Sequence, residues 1–88
     1  MKIPKLEKWK IIEMDWLDSC HLSGWTKDDL TYEQKDLEHK TVGYFIKETK
    51  YSISVVQSRK AEVKEKGTSI DALMEIPKVA ITKIRILK

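Results

Sequence analysis

A two-residue rhythm runs through "YSISVVQS" (51–58), where Tyr51, Ile53 and Val55 alternate with serines, and it leaves few folds open. Successive side chains of an extended chain point to opposite faces, so this period with β-branched and aromatic residues indicates a strand. The pattern recurs along the chain. "KWKIIEMDWL" (8–17) sets Ile12, Met14 and Trp16 on one face, and in "TVGYFIK" (41–47) Val42, Tyr44 and Ile46 alternate with Thr41, Gly43, Phe45 and Lys47. The intervening "ETK" (48–50) has the length of a hairpin loop, which pairs these two strands antiparallel. Charge and the turn residues Gly67, Thr68 and Ser69 then make "RKAEVKEKGTS" (59–69) an exposed connection.

The last two strands, "SIDALMEI" (69–76) and "AITKIRIL" (80–87), are separated by Pro77, which cannot donate to a ladder. "IPKVAI" therefore reads as a tight turn holding one turn of 3₁₀ helix. These segments predict an all-β chain: a small five-stranded SH3-like or Sm-like barrel, since closure removes exposed sheet edges. The 88 residues are expected to form a single domain. A domain of this size buries only about 60 to 65 % of its unfolded surface, so self-association is expected to add stability. Residues 18–40 do not fit the barrel. Their larger apolar residues after Trp25 are Leu30, Tyr32 and Leu37, and Thr26 with Asp28 and Asp29 could start a short helix. So long a polar loop after the first strand usually carries function.

That loop opens with "DWLDSCHLSGW" (15–25), a dense set of polar and aromatic side chains. Catalysis is not the expectation here. Ser19, Cys20 and His21 are chain neighbours, and side chains adjacent on an extended chain diverge rather than converge as nucleophile and base. The carboxylate pairs Asp15 with Asp18 and Asp28 with Asp29 sit in no motif, and Gly24, Gly43 and Gly67 form no phosphate loop. No cofactor is expected. One cysteine and two histidines without ligand spacing give no metal site, and an unpaired Cys20 fits a reducing compartment. No apolar run marks a membrane span or a secretory signal, so a cytoplasmic protein without membrane contact is expected.

Binding is the better reading. Trp16 and Trp25 flank a turn bearing Asp18, Ser19, His21 and Ser23, an inventory suited to stacking a base and bonding its edges and sugar hydroxyls. Trp16 has strand periodicity and is assigned to the barrel core, whereas Trp25 stands open between core and exposed platform. Asp18 and Ser19 serve equally well as a turn that ends the first strand. A second candidate set is Tyr44 with Gln57, Ser58 and Arg59: Gln57 can read a base edge and Arg59 can fork onto a phosphate. The structural alternative for 57–60 is a strand end passing into a charged loop.

The ordered series W-L-D-S and G-W (16–25), V-G-Y (42–44), Q-S (57–58) and I-P-K-V-A-I-T-K-I (76–84) resembles small proteins encoded by phages and prophages of Gram-positive hosts. Some families of small β-rich phage proteins sequester the cyclic nucleotide signals of CBASS or TIR-based Thoeris defence. The resemblance implies an oligomeric cyclic nucleotide sponge in the host cytoplasm, without turnover. It supplies no residue-level site, so the candidates above rest on their own chemistry. The competing class is a nucleic-acid-binding module or protein adaptor. Residues 18–40 carry six acids against three lysines, while 41–88 carry ten lysines or arginines against five acids. With a pI near 9.0, a strip of Lys83, Arg85 and Lys88 with Arg59, Lys60, Lys64 and Lys66 could follow a phosphate backbone. A phage structural component, or an inhibitor docking on a host enzyme, is a third class.

Overall fold

A computed structural model describes residues 1–18 and 37–87. Ser19, His21 and Trp25, the helix start at Thr26 and Lys88 lie outside the described residues. The fold is all-β: β1 (Ile11–Leu17), β2 (Glu38–Glu48), β3 (Ser52–Arg59), β4 (Ile70–Pro77) and β5 (Ile81–Leu87), with a 3₁₀ turn at Lys78–Ala80 before the last strand. All neighbours pair antiparallel in one open sheet of order β4-β3-β2-β1-β5.

The connection from β4 to β5 reveals the shape of this sheet. Five flat strands about 4.8 Å apart would separate the two edges by about 19 Å. A three-residue 3₁₀ turn rises only about 2.0 Å per residue and cannot cover that distance. The sheet therefore curls, which brings Ile76 of β4 and Ile81 of β5 into one core with Ile12, Met14, Phe45, Ile53 and Val55. A contact across the curl agrees: the Thr41 hydroxyl on β2 donates to Met74 Sδ on β4 at 3.7 Å, although β3 lies between these strands in the sheet. Among the described pairings no ladder joins β4 to β5.

Register assigns the faces that alternation leaves open on β2. Ile12 lies opposite Gly43, Met14 opposite Thr41 and Trp16 opposite His39, so Thr41, Gly43 and Phe45 take the inner face. Val42 lies opposite Glu13 and is exposed. Gly43 is where β3 approaches most closely: a Cβ built there would stand 2.8 Å from the Val56 carbonyl oxygen and 3.1 Å from Val55 Cβ. The hairpin turn 49–51 is fixed by Thr49, whose hydroxyl accepts from the Tyr51 and Ser52 amides at 3.2 and 3.0 Å. Tyr51, expected beside Ile53 and Val55, lies in this turn and is exposed.

Two strand starts differ from expectation by three residues, for physical reasons. β1 starts at Ile11 rather than residue 8 because Trp9 adopts φ +74°. The Trp9 amide donates to the Phe45 carbonyl and Lys10 accepts from the Phe45 amide, both at 2.8 Å, so two residues oppose one in a bulge. β2 starts at Glu38 rather than residue 41, since polar Glu38, His39 and Lys40 pair with Leu17, Trp16 and Asp15. Three residues of the expected polar loop are thus strand.

Candidate functional site

Among the described residues, the sequence candidates fall into two groups at opposite ends of β1, roughly 20 Å apart at about 3.3 Å per residue. At the C-terminal end, Trp16 is half-buried and packs against the core. Its indole N–H donates to the Thr41 hydroxyl at 2.9 Å, which fixes the ring. The cross-strand partner His39 lies against it, ring centroids 5.0 Å apart and planes at 45°. His39 Nε2 is 3.5 Å from Asp18 Oδ2, so Asp18, Trp16 and His39 form one cluster. Beside them opens a groove of about 360 Å³ lined by Asp15, Trp16, Glu38, His39, Lys40 and Thr82. A register shift between Asp15 and Trp16 on the β5 side shapes this end of the sheet.

One wall of the groove is an ion-pair network. Arg85 on β5 forks onto Asp15 with bonds of 3.0 and 2.7 Å and also donates to Glu13 at 2.8 Å. Lys40 on β2 donates to the same Asp15 oxygen at 2.8 Å. The Arg85 guanidinium first, and the Lys40 ammonium second, hold the Asp15 carboxyl well below the usual carboxylate range, while Asp15 raises Arg85. Asp15 is thereby held as an anion between two cations.

At the other end, the Arg59 guanidinium lies between two aromatic rings, 5.3 Å from the Trp9 centroid and 5.4 Å from that of Tyr44. Its Nη1 donates to the carbonyls of Lys60 and Ala61 at 2.9 and 3.1 Å, while its buried Nε has no hydrogen-bond partner among the described residues. Tyr44 and Arg59 are therefore brought together. Gln57 is directed elsewhere: its amide donates to the Val42 carbonyl at 2.7 Å, so as placed it seals the backbone beside Gly43. Ser58 is exposed and joins Arg59 and Lys60 at a shallow depression of about 240 Å³. No family model matches the chain, and no curated protein or solved structure matches it either.

The sequence by itself does not single out His39, Lys40 or Trp9 as candidates. For His39 and Lys40 a signal existed: extending the second strand back to Glu38 places them across from Trp16 and Asp15. Trp9 carried none, because a bulge residue with positive φ is ordinarily glycine and a tryptophan there breaks the local pattern.

Proposed function

We propose that this chain is a binding protein without turnover that holds a small nucleotide in the groove at the Trp16 end of β1. The adjoining rings of Trp16 and His39, which both line that groove, carry the reading. An aromatic wall accepts the face of a base. Asp18 and Glu38 offer carboxylate oxygens for base N–H groups or ribose hydroxyls, the role an acid takes against ribose in dinucleotide sites. Lys40, exposed at the rim, keeps two ammonium protons beyond the one given to Asp15 and can meet a phosphate. With the phage-protein resemblance, this favours sequestration of a host cyclic nucleotide signal in the cytoplasm, without turnover.

We place the fold with SH3-like or Sm-like barrels: a four-stranded meander, a 3₁₀ turn and a fifth strand returning to β1 support that assignment. Exposed Leu73 and Met74 on one edge strand and Ile86 and Leu87 on the other suit a homo-oligomer. Among the described residues no helix is long and apolar enough to cross a membrane. The nucleic-acid alternative loses part of its strip, because Arg85 is engaged by Asp15 and Glu13, and Arg59 by two rings and two carbonyls.

A thermal-shift panel of cyclic di- and trinucleotides and cyclic ADP-ribose isomers tests the reading. Ligand at 100 times its Kd stabilises by about 2.7 kcal/mol, which raises Tm by roughly 10 °C or more at this chain length. His39→Ala, exposed and outside the core, should fold as the parent and lose that rise. No shift with any cyclic nucleotide, together with binding to polymeric RNA or DNA that falls steeply with salt, would replace this reading with the adaptor.

A further inference from the structure

The connection from β3 to β4 is a second place where the fold has gathered chemistry, and it does not depend on the Trp16 groove. We propose that residues 60–69 form a cradle for a phosphoryl group of a small anion, such as pyrophosphate or a terminal phosphomonoester. The loop is closed rather than loose. At its neck the Lys60 amide donates to the Ser69 carbonyl at 3.0 Å. Within it the Thr68 hydroxyl accepts from the Lys64 amide at 2.8 Å and donates to the Lys64 carbonyl at 3.2 Å, stapling the two arms. Arg59, held between Trp9 and Tyr44, braces the outgoing arm through the carbonyls of Lys60 and Ala61.

The closed loop surrounds a depression of about 340 Å³ whose lining includes Lys60, Lys64, Gly67 and Ser69. Gly67 turns the chain at φ +113°, and nothing lies within 4 Å of where its Cβ would be, so the depression is open above that peptide. Lys40, Lys78 and Arg85 are bound to carboxylates, whereas among the described residues neither Lys60 nor Lys64 takes part in an ion pair. Lys60, Lys64 and Ser69, together in that lining, supply ammonium and hydroxyl donors for the several oxygens on one centre that a phosphoryl group presents. Glu62 also lines the depression and lowers its net charge, which limits affinity.

The test is a ¹H–¹⁵N titration of the full chain with sodium pyrophosphate at constant ionic strength, with sodium chloride as control. Saturating shifts confined to the amides of 60–69, with a Kd of about 1 mM or tighter, are expected. Lys60→Gln with Lys64→Gln should weaken binding about tenfold or more, as expected for loss of hydrogen bonds from charged donors. Glu62→Gln should tighten it. Lys66→Gln removes the same charge as either lysine change but lies outside the lining, and should leave affinity within about twofold, the scale of screened surface charge. Shifts spread over every lysine-bearing surface, linear response without saturation, or an equal loss from Lys66→Gln would overturn the cradle. His39→Ala should bind pyrophosphate as the parent does, so failure of the nucleotide groove and failure of this cradle give different results.

Discussion

Asp15 carries more interactions than any other described carboxylate, three hydrogen bonds from two cations on two neighbouring strands. Its lowered pKa sets a sign for acid behaviour. A carboxyl held below its unfolded value of about 3.9 adds stability at all pH above that value and loses it as pH falls through the folded value. Asp15→Asn should therefore unfold at lower urea than the parent by a constant margin above about pH 5, and the margin should shrink below about pH 4. A margin independent of pH down to about pH 2 would mean that charge is not what Asp15 contributes. As a sequence feature Asp15 was only half of an unremarkable acid pair with Asp18. Its partners lie 25 and 70 positions away, beyond any local pattern.

At the scale of single elements, the start of β1 shows how a local rule is broken. Trp9 holds a left-handed backbone that costs an L-residue about 1–2 kcal/mol, and its ring stacks on the Arg59 guanidinium. Truncation separates the two contributions. Trp9→Ala keeps the backbone cost and loses the ring, whereas Trp9→Gly loses both, so the glycine variant should be the more stable by about 1 kcal/mol in urea denaturation. Equal stabilities would show that the bulge carries no strain. Alternation marked "KWKIIEMDWL" as a strand and placed Ile12 and Met14 on its buried face, because period two depends only on the chain itself. It overran the start by three residues, since the bulge at Trp9 is imposed by pairing with Phe45.

Over the whole molecule, curling makes one core from five strands, to which β4 adds a single buried side chain. Ile76 is the one buried residue of β4, 1 % exposed, whereas Leu73 on the same strand is 60 % exposed. Ile76→Ala should cost about 2–5 kcal/mol, a large share of the roughly 5–15 kcal/mol that holds a domain together. Leu73→Ala should change stability by less than about 0.5 kcal/mol in a monomer. A larger cost for Leu73 that grows with protein concentration would place β4 in a subunit interface. Three positions apart on one strand, the two side chains take opposite faces, which alternation in "SIDALMEI" (69–76) already separates, while which face is buried follows from the curl.

Which segments extend, that they number five, and that a 3₁₀ turn precedes the last strand were all legible in the chain. Each follows from periodicity, proline and turn residues that act over a few neighbours. The sequence also pointed to Trp16, Asp18, Tyr44 and Arg59 as side chains with binding chemistry. Tertiary structure alone separated them into two places, gave Trp16 its partner His39 and Arg59 its partner Trp9, and engaged Arg85 with Asp15. Those outcomes depend on register and curl, which are set where distant strands meet and where a shift of one residue exchanges the faces of a strand.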